Sequence, residues 1–338
     1  MNPKRLVFCG GGTRCLTFLQ TLVDLENAGR LRHVNDYWGT SAGALIASLL
    51  AISKSPMKVK QTMFSADYTK FRDMDVGNLL SLGTTWGLDD GRSLTRELER
   101  MINELEPEGK DKTMADLKTL HIVVSDLNLR EMLVVDSTTF PTVRIVDAIR
   151  ASMCLPFFFR PYVNAVNGHY WVDGALRANF PWMLLPNDEA RRESLGFTFD
   201  KSVVSAPKTL LEYIFSMVHF DEPKKFMSLK QSWSPNILFF DTPPFPPWFT
   251  NLKEEDFRLV ETMGSSVAQK WLTAGGSSCP PETTETPLHS APHCTPSSGP
   301  QHHRNETSDI HSPSPLPSQD SSPPQLLSKQ PSSRRWSV

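Results

Sequence analysis

The chain has 338 residues, room for one large domain or two smaller ones. Its 35 lysines and arginines nearly cancel its 37 acids, so no strong field would draw it to nucleic acid or to an acidic membrane. Its five dispersed cysteines (Cys9, Cys15, Cys154, Cys279 and Cys294) make neither a paired metal motif nor a disulfide framework, and fit a reducing compartment.

Lys4 and Arg5 are followed by too few apolar residues for a signal-peptide core. Leu6-Val7-Phe8-Cys9 reads as a buried strand, stopped by the tight loop Gly10-Gly11-Gly12. Cys15–Ala28 carries Leu16, Leu19, Leu22, Val23 and Leu25 at helical spacing, with Gly29 as its stop. A second strand, Val34–Trp38, enters Gly39-Thr40-Ser41-Ala42-Gly43, and Ala44–Ile52 continues as a helix of good formers. The apolar run Leu45–Ile52 is closed by Lys54 and Pro56, far short of the roughly 18 residues that a membrane-crossing helix needs. The expectation is a cytoplasmic protein, at most peripheral on membranes or lipid droplets.

Leu94–Ile102 reads as a helix, Leu120–Ser125 and Met132–Asp136 as strands, and Val146–Ser152 as a short helix ended before Pro156. Tyr170-Trp171-Val172 is a strand running into Asp173-Gly174, and Thr209–His219 and Asp256–Leu272 read as later helices. Strands alternating with helices predict an α/β sandwich with a mainly parallel sheet. No linker divides residues 1–272. Composition then turns to Ser, Pro, Thr, Gln and His, and 273–338 is expected to be a disordered tail, because it cannot bury enough apolar surface to offset its ordering entropy.

Three motifs carry chemistry. Gly39-Thr40-Ser41-Ala42-Gly43 is a G-x-S-x-G pentapeptide between a strand and a helix. A sharp turn there exposes the serine hydroxyl, glycines remove clashing side chains, and the helix aims N–H groups at developing negative charge. Gly10-Gly11-Gly12 with Arg14 lets backbone approach a ligand closely and point several N–H groups at one place, as an oxyanion hole requires. A dinucleotide fingerprint would need glycine where Cys15 stands, and a phosphate loop would need a following Gly-Lys-Ser/Thr. Trp171-Val172-Asp173-Gly174-Ala175 puts a carboxylate at a strand end, where sites of open α/β sheets gather. Each motif alone also reads as an ordinary turn. Together they supply a nucleophile, an oxyanion cradle and a base.

In that combination the sequence resembles the patatin-like phospholipases. Their pattern is G-G-G-x-[RK]-G, then G-x-S-x-G, then D-G-[AG], and here the three stand at Gly10–Cys15, Gly39–Gly43 and Asp173–Ala175. Asp147–Pro156 matches the family's A-x-x-A-S-x-x-x-P segment. The resemblance is clear over about residues 5–185. It implies a three-layer α/β/α sandwich and a lipid acyl hydrolase; no His/Cys/Asp/Glu cluster has ligand spacing, so no metal or other cofactor is expected. Ser41 would be the nucleophile and Asp173 the base, with no histidine. Gly10, Gly11 and Gly12 would form the oxyanion hole, with Arg14, Gly39, Gly43 and Gly174 in support. Arg14 would brace the loop or meet a substrate phosphate. Cys15 departs from the family's glycine, and a small packed residue is its expected role.

Two other readings compete. A Ser-His-Asp hydrolase would use Ser41, Asp173 and either His169 or His219. A relative without catalysis would bind lipid or protein. The expected partners are a lipid ester and, transiently, a membrane surface, with no nucleic acid. Phe245-Pro246-Pro247-Trp248-Phe249 reads either as a loop dipping into the interface or as core packing under a loop.

Overall fold

The computed structural model describes residues 2–73, 78–200, 213, 222–246 and 251–275. Its strands are β1 (Arg5–Phe8), β2 (Asp36–Thr40), β3 (Gly87–Asp89), β4 (Leu120–Asp126), β5 (Glu131–Val135), β6 (Phe157–Phe159), β7 (Tyr162–Val163), β8 (Tyr170–Asp173), β9 (Ser194–Phe199) and β10 (Ile237–Phe240). The main sheet runs β10-β9-β1-β2-β4-β8-β7, with β5 paired to β4, and β3 and β6 pair separately. From β10 to β4 every neighbour is parallel. Strands β5, β7 and β8 turn antiparallel at one side.

Alternation along the strands divides the core into layers. Leu6 and Phe8 of β1, Tyr37 of β2, and Leu238 and Phe240 of β10 face one large cluster. Val7, Trp38 and Ile237 face a smaller one on the opposite side. Helices α1 (Thr17–Asn27), α2 (Ala42–Ser53), α3 (Pro56–Phe64), α4 (Asn78–Thr85), α5 (Arg92–Leu105) and α6 (Ile145–Ser152) follow in chain order. Leu19, Leu45, Val59, Leu98 and Ile149 of these helices supply the large cluster. Trp182, Leu185 and Ala190 cover the other face. Strands covered on both sides read as near-continuous apolar runs, as Leu6-Val7-Phe8 does.

The last described helix, Glu254–Thr273, lies against α1. Gly264 makes that approach close: a Cβ there would stand 2.5 Å from the Thr17 carbonyl oxygen. Thr21 Oγ1 donates to the Gly264 carbonyl at 2.7 Å inside the same contact.

The expected α/β sandwich with a mainly parallel sheet is the observed architecture, and most expected elements lie within one to three residues of their place. Two boundaries differ for local reasons. The chain after the glycines forms a 3-10 turn, Gly12–Leu16, before α1 begins at Thr17. Strand β2 starts at Asp36 because the Val34 N–H closes a turn on the Leu31 carbonyl at 3.0 Å. Strands β9 and β10, absent from the sequence reading, complete the sheet. The expected helix Thr209–His219 lies outside the described residues apart from Tyr213, as do Cys279, Cys294, Pro247–Phe249 and the tail from 276 on. No helix among the described residues is long and apolar enough to cross a membrane.

Candidate active site

Ser41 leaves β2 and precedes α2. Its backbone takes φ 54° and ψ −127°, a conformation that L-residues seldom adopt. Three contacts hold it there. The Ser41 N–H donates to Ser152 Oγ at 2.8 Å, and the Ser41 carbonyl accepts from the Ala44 N–H at 2.8 Å. Ser152 Oγ in turn donates to the Val123 carbonyl at 2.6 Å. Gly39 and Gly43 give the turn room: a Cβ on Gly39 would stand 2.3 Å from the Gly43 oxygen, and one on Gly43 2.5 Å from the Cys9 oxygen. The first turn of α2 therefore packs directly on the ends of β1 and β2.

Asp173 ends β8. Its Oδ2 accepts the Ser41 hydroxyl at 2.7 Å across 132 residues of chain. Its Oδ1 accepts the Ala175 N–H at 2.8 Å. The main chain is held as well, with the Asp173 N–H on the Cys154 carbonyl at 2.9 Å and its carbonyl on Ser125 Oγ at 3.0 Å. Burial pushes the Asp173 carboxyl up to about 7, and the bonds from Ala175 and Ser41 offset only part of that rise. Gly174 gives the same kind of clearance as the elbow glycines, since a Cβ there would stand 2.3 Å from the Val123 oxygen.

The glycine loop meets this pair from β1. A Cβ on Gly10 would stand 2.9 Å from Ser41 Cβ and 2.7 Å from Asn179 Oδ1. The Gly10 N–H is spent on the Asn179 carbonyl at 3.0 Å. Gly10 thus supplies clearance rather than the oxyanion donor expected of it, because its proton is committed inside the fold. Gly12 has φ 58°, the left-handed region that favours glycine. The Gly11 and Gly12 N–H groups open the 3-10 turn, where the first N–H groups lack a partner within the turn.

Arg14 reaches the Phe245 segment. Its Nε donates to the Phe245 carbonyl at 2.9 Å, and Thr13 Oγ1 donates to the Pro246 carbonyl at 3.2 Å. Of the two roles expected for Arg14, bracing the loop is the one these contacts describe. Phe245 itself is buried in the core, which favours the packing reading for the part of Phe245–Phe249 that is described. Cys15 is buried, donates its thiol to the Cys9 carbonyl at 3.6 Å, and is pushed up well above the usual thiol range chiefly by burial. It is a packed residue, as expected.

Two residues join the site that motif reasoning did not single out. Ser152 carries the Ser41 N–H, and its only signal was membership of the A-S-x-x-x-P segment. Asn179 holds Gly10 and lies six residues after Asp173, with nothing in local pattern to mark it. His169 belongs elsewhere: its Nδ1 lies 2.8 Å from Asp126 Oδ2, which also accepts Trp171 Nε1–H at 3.0 Å. Among the described residues no histidine bonds to Ser41 or Asp173, and no cluster of His, Cys, Asp and Glu could hold a metal ion. His219 lies outside the described residues.

The model of the family described as patatin-like phospholipase matches residues 6–186, a stretch that contains Ser41, Asp173 and all three glycine motifs. The chain belongs to the patatin-like phospholipase family. Two relatives of this patatin-like chain have no established function. Protein R571 of Acanthamoeba polyphaga mimivirus is 27% identical over 198 residues, 58% of this chain and 65% of that protein's own length. Protein YqhO of Bacillus subtilis strain 168 is 27% identical over 232 residues, 62% of this chain and 76% of that protein. Among solved structures, VipD from Legionella pneumophila has the same fold, with a TM-score of 0.52 at 15% identity over 81% of this chain and 67% of that one.

Proposed function

We propose that this patatin-like chain hydrolyses carboxylic esters of phospholipids or acylglycerols through an acyl-enzyme on Ser41. The observation that carries the reading is the 2.7 Å bond between Ser41 Oγ and Asp173 Oδ2 at a strained strand-to-helix turn. A nucleophile needs a base within hydrogen-bond reach, and a base near pH 7 serves best at neutral pH. Family membership supports the lipid ester as substrate class.

In this reading Ser41 Oγ attacks the ester carbonyl carbon while its proton passes to Asp173 Oδ2. The carbonyl oxygen takes the electron pair as an oxyanion beside the Gly11 and Gly12 N–H groups. Removing one such donor typically lowers turnover about 10²–10³-fold. The C–O bond to the alcohol then breaks, and Asp173 returns the proton to the leaving oxygen. Water repeats the sequence on the acyl-enzyme: Asp173 takes its proton, the acid departs, and Ser41 is restored. Ser152 and Asn179 act as positioning residues, through the Ser41 N–H and through Gly10.

Hydrolysis of a panel of phospholipid and neutral esters by wild type, Ser41→Ala and Asp173→Asn tests this. Both variants are expected to lose at least about 10³-fold in turnover. A fluorophosphonate adduct on Ser41 is expected in wild type, and its absence from folded protein would favour a binding role. Loss of activity in His219→Ala alone would favour a Ser-His-Asp enzyme. The reading assigns hydrolysis to residues 1–272 and no part in it to 273–338, so a chain ending after Leu272 is expected to retain activity.

A further inference from the structure

The geometry points to a lipid-docking face at the carboxyl end of the sheet, formed by three neighbouring turns with Trp86 and Phe157 as its apolar anchors. This deepens the lipid-hydrolase reading and rests on it for the occupant. The turns are the β4–β5 tip with Leu127 and Leu129, the β7–β8 tip with Val163 and Val166, and the edge of the β3–β6 pair with Trp86 and Phe157. Register and contacts join them. Gly87 pairs with Phe157, so Trp86 and Phe157 share one edge. The Trp86 ring meets Tyr170 edge-on at 5.4 Å. Tyr170 pairs with Val163 and accepts the Leu127 N–H at 2.9 Å.

This face stands beyond the Ser41–Asp173 pair. Strand β8 runs from Tyr170 down to Asp173, three residues or about 10 Å of strand. The hairpin tips therefore rise past Asp173 on the side to which the parallel strands point. A bilayer resting on them would lie over the end of the sheet where Ser41 leaves β2.

The six apolar side chains are each 47–60% exposed. Single exposed apolar residues need no explanation, but a contiguous group does. The backbone adds a second, independent oddity. Trp86 has φ 58°, Phe157 φ 67° and Arg130, at the β4–β5 tip, φ 58°. Bulky residues rarely hold this left-handed conformation, and strain of this kind gathers at functional sites. Here it holds two large rings half in water, where burial does not offset it.

Charge decides what the face fits. Arg130 and Arg177 are both exposed on this end, with Arg177 Nη2 donating to the Arg130 carbonyl at 2.9 Å, and neither has a carboxylate partner among the described residues. Guanidinium groups and exposed aromatic rings at one end of the sheet match the phosphates and the headgroup layer of a lipid surface. The apolar residues sit on separate turns with polar backbone between them, an arrangement that a fluid surface can accept at every tip together.

The test is co-sedimentation of the full chain with vesicles of phosphatidylcholine and phosphatidylserine, beside turnover of a water-soluble short-chain ester. The variant Trp86→Asn/Phe157→Asn/Val166→Ser keeps a residue type that tolerates positive φ at the two strained positions. Met183→Ser serves as control, an equally exposed side chain whose carbonyl bonds Arg191 near the amino end of β9. Wild type and Met183→Ser are expected to bind vesicles alike, and the triple variant at least fivefold less, with soluble-ester turnover within twofold of wild type. Should the triple variant not fold, Val166→Asp alone decides, with the same fivefold loss expected. The proposal is overturned if wild type does not bind, if the face variants bind like wild type, or if Met183→Ser loses as much. Vesicle binding by a wild type that hydrolyses neither soluble nor lipid ester would instead reject the enzymatic reading and leave the docking face standing.

Discussion

Thr40 and Asp173 occupy consecutive places along one edge of β4, opposite Val123 and Val124 respectively. Strand β5 fills the other edge of β4 over Ile122–Asp126, so β2 and β8 must share the edge that remains. β2 runs up that edge and stops at Thr40, and antiparallel β8 runs down it and stops at Asp173. The residue after Thr40 is Ser41. The two side chains meet because two strands end against each other on a common neighbour.

That meeting buries the carboxylate and sets a pH dependence. In the proposed mechanism Asp173 must be ionised to act as base, and burial pushes its carboxyl up to about 7. Below that value the proton occupies the base, so kcat/KM for a soluble ester is expected to fall about tenfold per pH unit. Above it the rate should level off. A profile flat from pH 5 to pH 8 in wild type would count against Asp173 as the base.

Burial also costs stability, with a definite sign. The folded-state value of about 7 lies above the ordinary 3.8. Between the two the folded state binds more protons, so stability falls as pH rises through that window. Asparagine cannot ionise and escapes the penalty. Asp173→Asn is therefore expected to be more stable than wild type at pH 8, by up to about 4 kcal/mol, with the difference vanishing toward pH 4. Denaturant titration at the two pH values checks both the sign and the trend.

Ser152→Ala tests the positioning of the turn. It would remove the one hydroxyl that bonds both the half-buried Ser41 N–H and the Val123 carbonyl. Leaving such groups unpaired costs about 1–3 kcal/mol. Because the group acts through the Ser41 backbone, kcat should drop at least tenfold with KM little changed. An unaltered kcat in a destabilised protein would reduce Ser152 to a packing role.

Two glycines should respond in opposite directions. Gly43→Ala drives a Cβ to 2.5 Å and 2.6 Å from the Cys9 and Phe8 carbonyl oxygens. Backbone cannot yield cheaply, and a loss of about 1–3 kcal/mol or more is expected, with activity lost alongside. Gly83 lies in α4, and a Cβ there meets nothing within 4 Å. Gly83→Ala should raise stability by about 0.5–1 kcal/mol through helix propensity. Melting curves of the two variants give the comparison.

Local pattern made much of the fold legible. Leu6-Val7-Phe8 before three glycines, and an apolar helix after Gly39–Gly43, announced β1, β2 and α2. Strands β9 and β10 escaped because neither runs into a motif that marks its end. All six residues of β9 are buried, so no alternation marks it. The boundaries that moved did so through backbone bonds, as at Val34.

By itself the sequence determined the candidate site: a serine in a glycine elbow, a glycine-rich loop, and an aspartate closing a strand. Each depends on residue types within five positions, so local chemistry states it. Tertiary structure brought Asp173 to Ser41, and it alone decided that Ser152 holds the turn and that the Gly10 N–H is already taken by Asn179. Those relations join residues 111 to 132 positions apart for Ser41. They follow from which edge of β4 each strand occupies, and sheet pairing is set by the packing of the whole chain, which no short window of residues encodes.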